Sequence, residues 1–494
     1  MRAARSAERA LPFVLAALAV LTLASWIFLA AAHADDRYRV GHGQGVWMAL
    51  AQDAGDGVLY RPIYDGERFG GTRYMPLQIG IYALGGELTG EYLTSGKLIA
   101  FLTTGALLAV VYRRLRRERC GAALAGALTM TIIATEGGLH AGTTLGGDVL
   151  PALLQVGMIA LVAGAPEDRR ARTGAAFLGA VAFATKLTAV WGVLAILTWY
   201  VINGRRRDAA RFGLTFVAIA VALLGTAEIL SGGRMSENIL ALALSGGVGL
   251  KALGRAPNQL LTNLGDLTLA GWILVPLAIV AIISARSWRA ITVTQWALAW
   301  ATLTTLAVLS DIGTGYNQMV DMTALLVLVV GAFASGVIHG EHPHDPLHAT
   351  VLIPLMVAWG LGTGLALTVL PDVKEAGSQL GTEPRARPLE GEIDPRESLL
   401  SEDPGIPVGV GRTPVILDPF MLPRLATSRP DAIDDLIRRI DAREWDVITL
   451  IERAEDNNVW WHDYHLGPGV IDAIRRNYAF DREVDGFFVY RPRR

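Results

Sequence analysis

Charged residues are distributed so unevenly along this chain that it cannot fold as a single soluble domain. Only 18% of its 494 residues are charged, and the mean hydropathy is +0.38, whereas a soluble chain usually carries about 25% charged residues. One position in three is charged over residues 372–494, against about 13% of positions over residues 1–371. The pattern predicts a membrane domain over 1–371, a linker over 372–395 and a small water-soluble domain over 396–494.

Apolar runs of the length that spans a bilayer as a helix, about 17–25 residues, recur throughout the first region. We predict eleven such helices, near residues 11–32, 94–112, 121–136, 147–164, 174–185, 187–203, 211–230, 268–284, 291–310, 318–339 and 348–371. Basic residues in short loops mark the cytoplasmic side, and they cluster here in every second loop, at 2–9, 113–119, 169–172, 205–211 and 286–289. This alternation predicts a cytoplasmic N-terminus and a C-terminal domain outside the membrane.

Three apolar stretches cannot be assigned as single transmembrane spans from their length alone. Residues 75–88 are apolar but too short to span, so we predict a helix lying in the outer interface. Residues 174–203 separate two cytoplasmic arginine clusters, so they must form two short helices that meet near Lys186. The N-terminus also resembles a signal peptide with cleavage before Asp35, but its apolar run of 22 residues favours a retained span.

The first outer loop, which with the interfacial helix covers residues 33–93, carries carboxylates and aromatic residues that a simple linker would not need. Asp35 and Asp36 stand directly after the first span. A carboxylate there is suited to be a general base for an acceptor hydroxyl or a ligand of a divalent cation. The alternative is a hydrated pair that merely ends the helix.

Further polar candidates lie at the same side of the predicted bundle. Glu136, His140 and Asp148 stand in a glycine-rich loop, either as ligands of a divalent metal ion or as solvated turn residues. Lys186 lies within a long apolar stretch, where an ammonium needs a polar cavity, a counter-charge or a path to the interface. Lys97 also sits at an outer membrane end.

The C-terminal region alternates predicted strands with helices, which is typical of a small α/β domain. Strands are predicted at 398–401, 414–417, 446–451 and 486–490, and helices at 431–443 and 469–478. An aromatic cluster that includes Trp461, His462, Tyr464 and His465 either stacks on sugar rings or packs against the membrane domain.

Taken in order, these features resemble the GT-C superfamily of membrane glycosyltransferases, which includes protein mannosyltransferases and the aminoarabinose transferase of lipid A. The resemblance covers most of residues 10–340. It rests on Asp35-Asp36 after the first span, Gly57-Val58-Leu59-Tyr60-Arg61-Pro62, Tyr74-Met75-Pro76-Leu77, Thr185-Lys186-Leu187-Thr188 and Gly315-Tyr316-Asn317. The chain departs from the family pattern at its catalytic pair, which is Asp-Asp instead of Asp-Glu, at Gly146-Gly147-Asp148 and at Gly96-Lys97.

The resemblance implies an inverting hexosyl- or pentosyltransferase of the bacterial inner membrane that works in glycan biosynthesis of the cell envelope. Its donor would be a polyprenyl-phosphate sugar and its acceptor a hydroxyl of a glycan, lipid or protein. Asp36 or Asp35 would be the catalytic base, and Lys186 and Lys97 would bind the donor phosphate. Tyr60, Arg73, Tyr74 and Asn317 would contact substrate, and a divalent metal would be held by Asp148, His140 and Glu136.

Other functions are less consistent with the sequence. The net charge of -2 gives no support to nucleic-acid binding, and no nucleotide-binding glycine motif such as GxxxxGK[ST] occurs. A transporter or flippase for lipid-linked sugars usually has internal repeats with paired broken helices, and this sequence has one broken pair. A non-catalytic assembly subunit is the remaining alternative.

Overall fold

The computed structural model describes residues 2–243, 250–266, 268–285, 287–310, 315–340, 348–379, 388–456 and 459–494. Arg286 of the last predicted basic cluster and residues 380–387 of the predicted linker lie outside the described residues.

Helices make up most of the chain up to residue 392. In chain order they are α1 Arg2–Ala32, α2 His42–Gly55, α3 Pro76–Thr89, α4 Tyr92–Arg117, α5 Ala122–Met130, α6 Glu136–Thr143, α7 Val149–Gly164, α8 Arg169–Thr185, α9 Trp191–Ile202, α10 Arg206–Leu230, α11 Arg234–Ala243, α12 Leu250–Asp266, α13 Thr268–Ile283, α14 Val293–Leu309, α15 Val320–Ile338, α16 Ile353–Gly364, α17 Leu370–Gln379 and α18 Pro388–Glu392. Short 3₁₀ turns at Trp288–Ala290 and Tyr316–Met319 precede α14 and α15, and π turns at His348–Leu352 and Leu365–Val369 flank α16.

Five of the helical segments in the described part of the chain are long and apolar enough to cross a membrane. They are Arg9–Ala32, Tyr92–Arg117, Arg206–Leu230, Tyr316–Ile338 and Thr350–Ser378. Four shorter apolar helices accompany them, at Val149–Gly164, Trp191–Ile202, Gly271–Ile283 and Val293–Leu309. Their shared core is built from small and branched apolar side chains, whereas residues such as Leu214 on α10 remain 71% exposed. An apolar face open to the surroundings is suited to lipid.

The predicted break between two short helices is confirmed. Helix α8 ends at Thr185, Lys186 follows with an extended backbone, and α9 begins at Trp191. Buried Gln155 accepts a hydrogen bond of 2.8 Å from the amide of Gly192, which satisfies one free N–H at the start of α9. The break therefore costs little in unpaired backbone groups, and it exposes Lys186 at the end of a helix.

Two predictions about the helical region were wrong. Residues 136–143 form a helix instead of a flexible loop, because the Thr135 hydroxyl accepts from the amide of Gly138 and caps its first turn. The last apolar helix does not end at residue 371 but continues to Gln379, so Asp372 belongs to the helical bundle and not to a linker.

The C-terminal region contains a four-stranded sheet with the order β1-β2-β4-β3. The strands are β1 Leu399–Ser401, β2 Val447–Leu450, β3 Tyr478–Val484 and β4 Phe487–Pro492; β1 pairs with β2 in parallel, and the other pairs are antiparallel. Helices α19 Gly405–Gly409, α20 Leu422–Ser428, α21 Pro430–Asp441, α22 Val459–Tyr464 and α23 Pro468–Asn477 connect the strands, with a 3₁₀ turn at Pro419–Met421.

The predicted strand at 414–417 lies outside this sheet and instead contacts the segment between α2 and α3. Ile416 forms a parallel bridge with Phe69, whose amide donates to Val415 (2.8 Å) and whose carbonyl accepts from Leu417 (2.9 Å). The strand β3, in turn, was not predicted. Residues 33–75 and the C-terminal region are thus joined by backbone hydrogen bonds, which no local pattern in either segment reveals.

A buried group of ion pairs also joins residues 33–75 to the C-terminal region. Arg37 donates to Glu390 at 3.2 Å and also pairs with Asp403, and all three side chains are buried. Gly45 of α2 packs closely against the backbone of Gly405. A Cβ atom at position 45 would lie 2.6 Å from the amide nitrogen of Gly405. We call the end of the bundle that carries residues 33–75 the loop face.

Candidate functional site

The two aspartates after α1 have different surroundings. Asp35 is exposed, whereas Asp36 is 5% exposed. The carboxylate of Asp36 accepts hydrogen bonds from His33 Nδ1 at 2.6 Å and from the amide of Tyr38 at 2.9 Å. Burial opposes ionisation of this group, but these two bonds and the nearby charge of Lys97 lower the pKa of Asp36 to about 2. Asp36 is therefore a fixed, ionised carboxylate.

Lys97 fixes the loop that carries Asp36. Its ammonium, 4% exposed, donates to the carbonyls of His33 and Asp36 at 2.7 Å each and lies 3.5 Å from the Asp36 carboxylate. The His33 carbonyl is one of the groups that the end of α1 leaves without a helical partner. In the structure the Lys97 ammonium fixes the loop that carries Asp36, and its predicted role in binding a donor phosphate stays a prediction.

Lys186 lies in a second polar cluster, formed by three segments that are far apart in sequence. Its ammonium donates to Asp148 Oδ1 and to Gln318 Oε1, both at 2.6 Å. Asp148 also accepts from Asn317 Nδ2 at 2.8 Å. The side chain of Lys186 is 23% exposed. An ammonium has three donors, and the described residues accept from two of them.

A cavity of about 540 Å³ lies beside both clusters. Its lining comprises Tyr38, Arg39, Val40, Gly41, Gln44, Glu136, His140, Tyr316 and Asp372. Tyr38 belongs to the loop that holds Asp36, and Tyr316 directly precedes Asn317. Asp36 and Lys186 are not themselves lining residues. Asp36 is linked to the wall through the amide of Tyr38, and Lys186 is linked to it through Asp148 and Asn317, the neighbour of Tyr316.

Ion pairs and hydrogen bonds among the charged and aromatic side chains of the cavity wall hold these side chains in place. Arg39 pairs with Glu136 and with Asp372, the latter at 2.6 Å, and Tyr38 donates to the same Asp372 carboxylate. Burial and this carboxylate raise the pKa of the Tyr38 phenol, so it remains protonated. Arg39 has a positive φ of 58°, which is uncommon for a residue other than glycine and indicates that its position is enforced by these contacts.

The predicted metal ligands are not brought together. Glu136 pairs with Arg39, His140 lies 3.0 Å from the Gln44 amide nitrogen, and Asp148 pairs with Lys186. Burial and the charge of Arg39 lower the pKa of His140 to about 4, so its neutral ring accepts from Gln44. Among the described residues, no three His, Cys, Asp or Glu side chains converge as a metal site would require.

The predicted substrate contacts are divided between the core and the surface. Tyr60 is 1% exposed and donates to the carbonyl of Tyr74 at 2.7 Å, which leaves no surface for a substrate. The Tyr74 ring stacks on Trp47 with centroids 4.2 Å apart, and Arg73 lies over the ring of Phe420. Only Asn317 belongs to the polar clusters beside the cavity.

The C-terminal aromatic cluster packs within the protein, as one of the two alternatives expected. Trp461 Nε1 and His465 Nδ1 both donate to buried Glu402, at 2.9 and 2.8 Å. The His465 ring also lies 4.3 Å from that of His42 at the start of α2.

Several residues of this site were missed from the sequence. Tyr38, Arg39 and Gln44 lie in the loop that was singled out, but neither their type nor their spacing forms a motif. Gln318 is adjacent to the Gly315-Tyr316-Asn317 element, and this adjacency is the one sequence feature that could have indicated its place in the site. Asp372 was assigned to the linker.

Comparison with known proteins identifies the fold. No protein-family model matches the chain, and no curated protein matches its sequence. Among solved structures, ArnT from Cupriavidus metallidurans bound to undecaprenyl phosphate is similar, with a TM-score of 0.58 at 13% identity, over 96% of this chain and 97% of that one. Archaeal oligosaccharyltransferase AglB from Archaeoglobus fulgidus, in complex with an inhibitory peptide and a dolichol-phosphate, gives a TM-score of 0.53 at 11% identity, over 96% and 74%.

Both similar structures are GT-C superfamily proteins. The GT-C fold predicted from the order of the sequence motifs is thereby confirmed, and the number of membrane spans stays a prediction. Together with the apolar helices, it identifies this chain as an integral membrane protein.

Proposed function

We propose that this protein is an inverting glycosyltransferase that moves a hexosyl or pentosyl group from a polyprenyl-phosphate carrier to an acceptor hydroxyl. The observation that carries the proposal is a GT-C fold in which the ionised Asp36 carboxylate and the partly exposed Lys186 ammonium are each bonded, directly or through a partner, to segments that line one cavity. ArnT and AglB were solved with undecaprenyl phosphate and dolichol-phosphate, which supports a donor of this class.

In this proposal, the acceptor oxygen attacks the anomeric carbon of the sugar while the bond from that carbon to the phosphate oxygen breaks. The phosphate leaves with the bonding electron pair, and the acceptor proton passes to Asp36 as general base. Lys186 stabilises the charge that grows on the leaving phosphate, an interaction stronger in the transition state than in the ground state. Attack from the side opposite the phosphate inverts the anomeric configuration.

The surrounding residues have positioning roles in this mechanism. Lys97, His33 and the Tyr38 amide hold Asp36 in place. Asp148 and Gln318 direct Lys186. The resulting geometry is set before substrate arrives, which lowers the cost of reaching the transition state.

We further propose eleven membrane spans in the bacterial inner membrane, with the N-terminus in the cytoplasm and the loop face outside. The arginine-rich ends of α4 and α8 support this orientation under the positive-inside rule.

The test is a donor panel in reconstituted membranes without nucleotide sugar. Radiolabelled polyprenyl-phosphate sugars are supplied with envelope acceptors, and the release of polyprenyl phosphate is compared between wild type and the Asp35→Asn, Asp36→Asn double variant. Release that depends on the aspartates supports the proposal. Movement of intact donor between leaflets would instead establish a flippase, and wild-type activity in the double variant would refute the proposed chemistry.

A further inference from the structure

A second cavity, of about 750 Å³, lies at the other end of α4 from the Asp36 loop. Its charged lining residues are Arg114, Arg117, Glu118, Asp168 and Arg170, and we call it the arginine cleft. Seventeen residues of α4 separate Arg114 from Lys97, so the cleft is roughly 25 Å along the helix from the candidate site. Nothing in the proposed transfer reaction uses it.

Two of these guanidinium groups lie near the same point of the cleft wall. A Cβ atom on Gly164 would lie 3.9 Å from an Nη1 atom of Arg114 and 4.0 Å from that of Arg117. Arg114 is paired with Glu118, and the Asp168 carboxylate accepts from the amide of Arg170. In the part of the chain that the structure describes, the side chains of Arg117 and Arg170 have no hydrogen-bond or ion-pair partner. Three guanidinium groups and two carboxylates line the cleft, so its lining carries a net positive charge, which favours an anion there.

The rest of the cleft wall is apolar and continues into a lipid-facing surface. Ala160, Ala163, Gly164, Ala171 and Gly174 leave the space open because their side chains are small or absent. Leu161 lines the cleft and is 38% exposed, and Phe177, one helical turn from Gly174 on α8, is 51% exposed. A ligand of this cleft therefore has an anionic group next to an apolar chain.

We propose that the arginine cleft binds the head group of an anionic phospholipid, with the phosphate between Arg117 and Arg170 and an acyl chain along Leu161. Basic pockets between membrane helices are suited to such head groups. A free phosphate ion would use the arginines but gains nothing from the exposed apolar wall, so the lipid is the better match to both halves of the cleft.

The proposal is tested with the full-length protein in nanodiscs that contain phosphatidylcholine and a small fraction of phosphatidylglycerol. Native mass spectrometry measures how many phosphatidylglycerol molecules remain bound. The test variants are the Arg117→Gln, Arg170→Gln double variant and Gly164→Leu, which fills the cleft without removing a charge. The matched control is Arg113→Gln with Arg169→Gln, which removes two neighbouring cations of the same helices that do not line the cleft.

We expect retained phosphatidylglycerol to fall roughly 30-fold in the Arg117, Arg170 double variant, from a typical contribution per basic residue near a membrane surface. Gly164→Leu should lose it as well, and the control should keep it. Equal loss in the control would show general surface attraction and overturn the proposal. Displacement of the lipid by inorganic phosphate at equal concentration would overturn it too, because the site would then be one for phosphate alone.

Discussion

At the scale of single residues, burial distinguishes two adjacent aspartates that the sequence alone treats as equivalent. Asp36 accepts bonds from His33 and Tyr38 and lies over Lys97, whereas Asp35 is exposed. The proposed base is therefore Asp36.

We predict that Asp36→Asn lowers the turnover number about 10²–10⁴-fold, the usual contribution of a positioned general base. Asp35→Asn is the matched control and should retain turnover within a few-fold. Both are measured by initial rates at saturating donor, with thermal unfolding to confirm that each variant is folded. A greater loss in Asp35→Asn would assign the base to the exposed residue.

The same residue predicts the pH dependence of transfer. Because the pKa of Asp36 is lowered to about 2, this carboxylate stays ionised at every pH well above that value. We expect no acid limb from Asp36 between about pH 4 and pH 7, provided that the protein remains folded. A pH profile of the single-turnover rate checks this. The assignment would be contradicted if the wild-type rate fell in acid with a midpoint near pH 6 while the residual rate of Asp36→Asn did not.

Two partly buried histidines predict that acid weakens the fold. Burial, with the charge of nearby His465, lowers the pKa of His42 to about 3, and burial lowers that of His140 to about 4. The unfolded chain takes up these protons below about pH 6.5 while the folded chain does not, so stability falls as the pH falls from there toward 4. Thermal unfolding should show this slope, and His42→Phe should reduce it. A midpoint unchanged from pH 7 to pH 4.5 would refute the prediction.

At the scale of secondary-structure elements, the candidate site depends on how short segments end and meet. The end of α8 supplies Lys186, the residue before α7 supplies Asp148, and the 3₁₀ turn before α15 supplies Asn317 and Gln318. Helix α2 matters in the same way, because it supplies Gln44 to the cavity wall and contacts the C-terminal region through Gly45.

We predict that Gly45→Ala destabilises the protein by about 1–3 kcal/mol, the usual cost of overpacking, because its Cβ atom would clash with the backbone of Gly405. Gly43→Ala, on the same helix, has open space around its Cβ position and should be neutral or slightly stabilising. Denaturant unfolding of both variants provides the comparison. Equal stability of the two would show that α2 is not held against residue 405.

The features that could be predicted from the sequence are those that residues close by in the sequence determine. The break at Lys186 followed from the charge alternation of its flanking arginines, and Asp148 and Asn317 were singled out from polar loops between apolar helices. Partners supplied from a distance could not be predicted in this way. Asp372 reaches Tyr38 across more than 300 positions, and the segment around Ile416 pairs with Phe69 because of tertiary docking. The sequence also indicated a metal site that the positions of Glu136, His140 and Asp148 do not form.

At the scale of the whole molecule, the C-terminal region and the membrane bundle are joined through the loop that carries Asp36. Arg37, the next residue, pairs with Glu390 and Asp403, while Arg61 binds Asp53 and the carbonyl of Pro414. We therefore expect a change in how the C-terminal region docks to alter the position of the proposed base.

We predict that Arg37→Met lowers the free energy of unfolding by about 3–5 kcal/mol, since it leaves two buried carboxylates without their cation. Transfer should fall as well, because Asp36 is adjacent. Arg396→Met is the control, as its pair with Asp394 is largely exposed and should not contribute measurably. Limited proteolysis and thermal unfolding make the comparison, and an unchanged Arg37→Met protein would show that these pairs do not hold the region in place.

The most direct test of the proposed transfer is steady-state kinetics in proteoliposomes with the donor that the panel identifies. Wild type, Asp36→Asn and Lys186→Gln are compared, and the anomeric configuration of the product is determined. We predict inversion, a greatly reduced turnover number with nearly unchanged KM for Asp36→Asn, and a reduced kcat/KM for Lys186→Gln. Retention of configuration, or full activity of Asp36→Asn, would contradict it.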